Sequence, residues 1–169
     1  MLNRGEIKKL IEQEGLVENY PHLETQLQPN GFDITVDEIH RFTETGRLDF
    51  SNSERKIPKT HGIEPEKENK EDKYGWWKLE EGTYKVKTNE RFNMPRDVAG
   101  IVFPRSSLLR MGCTTETGVW DAGFVGKAEF LLMVKNKDGV EIKENARIAQ
   151  LLFVPINEVE EGYRGVYGE

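Results

Sequence analysis

The sequence predicts an all-β barrel or sandwich with one short N-terminal helix, and three observations support this fold class. Apolar and polar residues alternate in several short stretches, turn residues separate those stretches, and helical spacing is clear only near the N-terminus. The chain has 169 residues, which suit one domain with a core and are few for two. We therefore expect a single domain over residues 1–169.

The predicted helix covers residues 3–14. Ile7, Leu10 and Ile11 share one helical face. Asn3 is a typical N-cap residue, and Gly15 is a typical stop. One face of this helix should pack on the barrel while the other meets solvent.

The predicted strands begin after the turn at residues 29–31. Phe32, Ile34 and Val36 alternate with polar residues. One of these polar residues is Asp33, and one interpretation of it is a solvated strand residue. Further strand patterns occupy residues 83–92, 98–104, 127–136 and 146–156. On the third of these, Glu129 and Leu131 should share a face.

Residues 43–73 contain many Glu, Lys, Asn, Ser and Pro and almost no large apolar residues. We expect a charged surface insertion that forms no packed element of its own. His40 and His61 at its flanks have no carboxylate or cysteine cluster at metal spacing, so they predict no metal site.

The charge and cysteine content exclude several classes of protein. A net charge of -6 argues against non-specific nucleic-acid binding. The single cysteine, Cys113, excludes an internal disulfide and is expected to be a small buried residue. No apolar run is long enough for a signal peptide or membrane span, so a cytoplasmic protein without a membrane partner is expected.

The stretch from Phe103 to Gly126 contains the candidate catalytic and phosphate-binding residues. Arg105, Ser106 and Ser107 offer one cation and two hydroxyls, and Asp121 follows among small residues. Such residues bind phosphate oxygens, and a carboxylate can orient a water. The stretch therefore predicts a nucleotide-phosphate site.

Four motifs stand in a fixed order: NGFD, PRSSLLRMG, GVWDAGFVG and ARIAQL, followed by a tail rich in Gly and Tyr. This order resembles the trimeric dUTPase and dCTP deaminase superfamily and is most similar to archaeal-type dUTPases. The resemblance covers residues 31–169 except 43–73. It implies a distorted jelly-roll barrel of the β-clip type.

The resemblance also implies roles for individual residues. Asp121 would activate the water that attacks the α-phosphate of dUTP. The triphosphate and pocket contacts would come from Arg105, Ser106, Ser107, Arg110 and Gln150. Arg147 would be either structural or functional.

At the sugar and base, the resemblance places Phe124 against the deoxyribose, where a flat apolar ring leaves no partner for a 2′-hydroxyl. Uracil would be bound by backbone groups near Val119, with help from Thr115 or Thr117. The C-terminal residues 158–169, with Tyr163 and Tyr167, would close over the site.

The cofactor implied by the resemblance is Mg²⁺, held mainly by the triphosphate and water. Asp33 matches the acidic residue of the first motif. It would either contact the metal indirectly, through water, or brace neighbouring motifs.

The expected function is a homotrimeric dUTP diphosphatase with shared active sites, which converts dUTP and water to dUMP and diphosphate. In deaminases of the superfamily a Glu falls ten residues after the position of Asp121, and here that residue is Leu131, with Glu129 nearby. The alternatives are a dCTP deaminase, alone or bifunctional, and a non-catalytic nucleotide-binding module that uses the insertion as contact surface. A carbohydrate-binding jelly roll with Trp76 and Trp77 as platform is a further alternative.

Overall fold

The computed structural model describes all residues from Met1 to Glu169 and contains three short helices and eleven strands. In chain order these are α1 (Arg4–Glu14), β1 (Val17–Glu18), α2 (Leu23–Gln26), β2 (Leu27–Gln28), β3 (Gly31–Phe42), β4 (Thr60–Gly62), β5 (Trp76–Leu79), β6 (Gly82–Asn93), β7 (Val98–Pro104), α3 (Ser106–Arg110), β8 (Cys113–Glu116), β9 (Val125–Val134), β10 (Val140–Lys143) and β11 (Arg147–Pro155).

Helix α1 begins and ends as the sequence predicts. The Asn3 side chain accepts hydrogen bonds from the N–H groups of Gly5 and Glu6, and Glu6 accepts one from the Asn3 N–H at 2.8 Å. Gly15 ends the helix with φ 66°. Ile7 is buried on the barrel.

Nine strands form one antiparallel sheet in the order β7-β11-β3-β6-β9-β8, with β1 on β6 and with β2 and β4 on β3. Two backbone hydrogen bonds join its ends: the Gly100 N–H donates to the Trp120 carbonyl at 2.8 Å, and the Trp120 N–H donates back at 3.0 Å. The sheet is therefore a nearly closed barrel, which confirms the predicted all-β, jelly-roll fold class.

The buried residues of the strands follow the alternation that the sequence predicts. On β9, Ala128, Phe130 and Leu132 are buried, while Glu129 and Leu131 face outwards. Cys113 is also buried, as predicted, and burial raises the pKa of its thiol.

Residues 43–73 are mostly exposed, but they are more ordered than the sequence predicts. Strand β4 pairs with residues 40–42 of β3, and Arg47 forms an antiparallel bridge with Lys56. These contacts are backbone hydrogen bonds, which need no large apolar side chains. Strand β4 has no buried residue and is held by the edge of β3, so it adds a short paired stretch to an otherwise exposed insertion.

A separate two-stranded sheet, β5 with β10, covers one side of the barrel. Trp77 is buried there, and its Nε1–H donates to the Ile63 carbonyl at 2.7 Å. The buried indole of Trp77 offers no face to a sugar, so a platform made of both Trp76 and Trp77 is wrong. No helix of the protein has the length and apolarity that a membrane span requires.

Candidate active site

A cavity of about 980 Å³ lies between the outer face of β6 and β9 and the C-terminal segment. Its wall brings together six of the residues that the sequence singled out. They are Thr117, Val119, Asp121, Phe124, Tyr163 and Tyr167.

Asp121 is positioned by the closure of the barrel. It directly follows Trp120, whose backbone is bonded to Gly100, and its own carbonyl accepts the Phe124 N–H at 3.1 Å. Its side chain is exposed on the cavity wall and makes no hydrogen bond or ion pair within the chain. The carboxylate is therefore free to bind a water.

Phe124 forms an aromatic surface three residues later. Its ring is half-buried and meets Tyr163 edge-on, with centroids 5.3 Å apart, and Trp120 at 6.4 Å. These contacts fix the ring in the cavity wall next to Asp121.

The C-terminal residues 158–169 cross this wall. The Tyr163 N–H donates to the Ala122 carbonyl at 2.8 Å, and the Glu169 N–H donates to the Val125 carbonyl at 2.9 Å. At the crossing, a Cβ on Gly123 would lie 2.7 Å from the Gly162 Cα, so the two glycines allow the close approach.

The insertion also reaches the cavity, which the sequence did not predict. Ile57 lines it beside Phe42, the last residue of β3, and the Arg55 guanidinium lies 5.7 Å from the centre of the Tyr167 ring. The side of the cavity is thus built partly from residues 43–73.

Arg105 and α3, here named the arginine–serine arm (residues 105–110), lie outside this cavity. Ser106, Ser107 and Arg110 are exposed at the end of β7. Gln150 lies nearby on β11, opposite Phe103 of β7, and it does not line the cavity either. The structure therefore separates the predicted phosphate-binding residues from Asp121 within one chain.

The buried Asp33 side chain contacts the first residue of this arm, Arg105. It is 1% exposed, and its Oδ2 accepts a hydrogen bond from Arg147 Nη1 at 3.1 Å. The same oxygen forms an ion pair with Arg105 Nε at 3.1 Å. Burial raises the pKa of the Asp33 carboxyl, and the two guanidinium groups act against that rise. The solvated-residue interpretation of Asp33 is wrong, because a charged strand residue is buried here with two charged partners.

Arg147 also donates to the Thr25 carbonyl at 2.5 Å, which favours a structural role for it. Asp33 is committed to two cations, so the geometry favours bracing over an indirect metal contact. The protein contains no group of three or more His, Cys, Asp or Glu side chains that could hold a metal ion.

Thr115 does not reach the cavity. Alternation along β8 turns it inwards with Cys113, and its hydroxyl is buried without a hydrogen-bond partner. Of the two threonines predicted to help bind the base, Thr115 therefore does not line the cavity, whereas Thr117, beyond the end of the strand, lies on its wall.

The floor of the cavity carries charges that sequence reasoning missed. Lys85 and Lys87 of β6 and Lys127 of β9 face it, next to Glu129 and Leu131. The alternating KVK of β6 gave the signal for two lysines on one face. The neighbouring strand could not be identified from local sequence.

The fold is shared with a 2′-deoxycytidine 5′-triphosphate deaminase from Agrobacterium tumefaciens, at a TM-score of 0.65 and 18% sequence identity. The match covers 90% of this chain and 46% of the deaminase chain, so this protein spans about half the length of that relative.

The dCTP deaminase-like family model matches residues 1–156, and the chain belongs to this family. A protein of Methanosarcina mazei named probable deoxyuridine 5′-triphosphate nucleotidohydrolase is 49% identical over 169 residues, covering 99% of this chain and 95% of the relative. A deoxyuridine 5′-triphosphate nucleotidohydrolase of Methanocaldococcus jannaschii is 40% identical, covering 85% of this chain and 88% of the relative.

Proposed function

We propose that the protein is a dUTP diphosphatase, which hydrolyses dUTP to dUMP and diphosphate. The observation that carries this proposal is the unpaired Asp121 carboxylate beside the Phe124 ring in one cavity. The archaeal relatives named dUTP nucleotidohydrolases, at 49% and 40% identity, support it.

In the proposed reaction, Asp121 accepts a hydrogen bond from a water and takes its proton as the water oxygen attacks the α-phosphorus of dUTP. The bond between the α-phosphorus and the bridging oxygen to the β-phosphate breaks. Diphosphate leaves with the electron pair, and dUMP keeps the new oxygen. The carboxylate positions the water, while cations stabilise the charge that builds on the phosphoryl oxygens.

Phe124 would lie against the deoxyribose. Its ring has no polar group to pair with a 2′-hydroxyl, so a ribonucleotide would bury that hydroxyl without a partner. This is the proposed basis for preferring dUTP to UTP.

The phosphate-binding residues would come from another copy of the chain. The arginine–serine arm lies outside the Asp121 cavity of its own chain, so a complete site needs a second subunit. Strand β7, which leads into the arm, exposes Ile101 and Phe103 at 44% and 54%. Such an apolar face is typical of a covered interface. A homotrimer with shared sites, as in the superfamily, fits both observations.

The residues present fit Mg²⁺ that is carried by the triphosphate. Mg²⁺ prefers oxygen ligands, keeps several waters and is often held by substrate phosphates. The arm offers hydroxyls and guanidinium groups to the same phosphates and needs no dedicated ligand cluster. When bound, Mg²⁺ would withdraw negative charge from the phosphate oxygens.

Deamination is not part of the proposal. Leu131, at the position where deaminases of the superfamily carry a Glu, lines the cavity and has no proton to exchange. Glu129 faces the same cavity but is paired with Lys85 at 2.9 Å.

The test is Asp121→Asn, assayed with dUTP, dCTP, dTTP and UTP by chromatography of the products. Turnover of dUTP should fall by about 10²- to 10⁴-fold, because an amide cannot take the proton, while dUMP binding persists. Asp138→Asn, in an exposed turn, is the matched control and should keep full turnover. Unchanged turnover in Asp121→Asn, or ammonia release from dCTP, would contradict the proposal.

A further inference from the structure

Residues 43–59, here named the insertion hairpin, extend the pairing between β3 and β4. Arg47 and Lys56 exchange two backbone hydrogen bonds, at 2.9 and 2.8 Å. At the turn, the Asp49 carboxylate accepts a hydrogen bond from the Glu54 N–H at 3.2 Å. The hairpin is therefore fixed by its own hydrogen bonds, and it can hold another segment in place.

The C-terminal segment that crosses the cavity is bound to the barrel at two points. The Tyr163 N–H donates to the Ala122 carbonyl, and the Glu169 N–H donates to the Val125 carbonyl. Between these points, residues 164–168 form no hydrogen bond or ion pair with any residue before the C-terminal segment. This stretch therefore needs a further contact to stay in place over the cavity.

The further contact comes from the insertion hairpin. The Arg55 guanidinium lies 5.7 Å from the centre of the Tyr167 ring. Arg55 is half-buried, and its side chain forms no ion pair or hydrogen bond, whereas Arg47 on the same hairpin is paired with Glu54. A guanidinium without an acidic partner is free to bind the negative face of an aromatic ring.

The contact between Arg55 and Tyr167 also joins two parts of the cavity wall. Ile57 of the insertion hairpin and Tyr167 both line the cavity. Neither residue belongs to a strand of the barrel. Arg55 thus connects the two segments outside the strands that enclose this cavity.

We infer that Arg55 is a positioning residue, which holds Tyr167 and the stretch 164–168 over the cavity and so couples the insertion hairpin to ligand binding. The inference rests on the proposed function only for the identity of the ligand. A segment that is already in place loses less conformational entropy when a ligand binds beneath it. Loss of the Arg55 contact should therefore weaken ligand binding and leave the chemical step at Asp121 unchanged.

The first test is amide hydrogen exchange of the full-length protein without ligand, in wild type and in Arg55→Gln, which removes the charge. The Tyr167 N–H donates to the Tyr163 hydroxyl at 3.2 Å, so its exchange reports whether the stretch is in place. Its exchange should become about threefold faster in the variant, as expected for one exposed cation–π contact. Exchange of the Tyr163 N–H, which is bound to Ala122, should not change.

Two further variants serve as controls. Arg55→Lys keeps the positive charge and should stay closer to wild type than Arg55→Gln. Arg47→Gln removes a charge from the same hairpin without touching Tyr167, and it should keep the wild-type exchange rates. Unchanged exchange of Tyr167 in Arg55→Gln, or equal acceleration in Arg47→Gln, would overturn the inference.

The second test follows dUTP hydrolysis. Arg55→Gln should raise KM for dUTP about threefold and keep kcat, because the lost contact affects binding and not the bond-breaking step. In a Tyr167→Leu background, which lacks the ring, Arg55→Gln should have no further effect on KM. Faster exchange together with an unchanged KM would overturn the coupling to ligand binding.

The positioning role and the proposed function fail separately. If wild type does not hydrolyse dUTP, the diphosphatase is overturned, while faster exchange of Tyr167 in Arg55→Gln still supports the contact. If wild type hydrolyses dUTP and exchange of Tyr167 is the same in both proteins, the positioning role of Arg55 alone is overturned.

Discussion

The Phe124 ring makes contacts within the protein and also presents a free surface to the cavity. Its ring packs on Tyr163 and Trp120, and its free surface faces the cavity. Phe124→Ala should raise KM for dUTP about tenfold, because an aromatic contact and its buried area are both lost. It should also raise kcat/KM for UTP relative to dUTP. The control Phe124→Tyr keeps the ring, so its KM for dUTP should stay near that of wild type. If kcat/KM for UTP relative to dUTP is unchanged in Phe124→Ala, the proposed contact of Phe124 with the deoxyribose is contradicted.

Glu90 is fully buried on β6, where its carboxylate accepts hydrogen bonds from Gln26 Nε2 at 2.6 Å and from the Thr35 hydroxyl at 2.5 Å. Burial raises the pKa of Glu90, and those hydrogen bonds act against the rise. The folded protein therefore holds a proton at pH values where the unfolded chain has lost it.

It follows that Glu90 makes the free energy of unfolding fall as pH rises above the ordinary glutamate pKa. The fall is about 1.4 kcal/mol for each unit by which folding raises the pKa. Glu90→Gln should lack this component, so the difference in stability between wild type and variant should shrink or reverse from pH 4 towards pH 7. Urea unfolding across that range is the measurement, and parallel curves for both proteins would contradict it.

The positions of some site residues could be predicted from the sequence, and those of others could not. Asp121 and Phe124 could be placed because their motif is local and the cavity lies beside it. Asp33 could not, because its burial depends on Arg105 and Arg147, which come from distant parts of the chain. The motif region predicts that Thr115 or Thr117 helps bind the base, but alternation along β8 turns the Thr115 side chain inwards.

At the scale of elements, the C-terminal segment depends on the crossing of Gly123 and Gly162. A methyl group on Gly162 would lie 3.1 Å from the Gly123 Cα, so Gly162→Ala should displace the segment from the cavity. Amide exchange at Tyr163, which donates to Ala122, should become about tenfold faster, since its hydrogen bond opens more often. KM for dUTP should rise with it.

Gly118→Ala is the control for this exchange measurement, because an added methyl group there meets no atom within 4 Å. It should leave the protection of Tyr163 unchanged. Equal protection in Gly162→Ala and wild type would show that the crossing does not hold the segment.

Helix α1 and the long strands could be predicted because caps, spacing and alternation are local signals. Strand β4 could not, because it is held by the edge of β3 and not by side chains of its own. The pairing of β5 with β10 joins residues that are more than sixty positions apart, and no local pattern encodes it.

At the scale of the whole molecule, the two halves of the proposed site lie apart in one chain, so mixing of inactive variants is informative. The variant Asp121→Asn lacks the carboxylate proposed to take the proton of the attacking water. The double variant Ser106→Ala/Ser107→Ala lacks the two hydroxyls of the arginine–serine arm. If each site takes Asp121 from one chain and the arm from another, an equal mixture should recover about a quarter of wild-type activity per site. The assay follows dUMP formation after joint refolding.

Each variant refolded alone is the control and should stay inactive. A mixture as inactive as its components would show that one chain supplies both halves. Size-exclusion chromatography with light scattering checks that the mixed protein has the mass of the wild-type assembly.

The two backbone hydrogen bonds between Gly100 and Trp120, which form the seam of the barrel, should also affect how activity responds to temperature. These two bonds fasten the seam, and the proposed catalytic carboxylate is the very next residue. Such a short seam is expected to open at lower temperature than the long ladders of β6 and β9. On warming, turnover should therefore disappear several degrees before the circular dichroism of the strands, and cooling from that intermediate range should restore it.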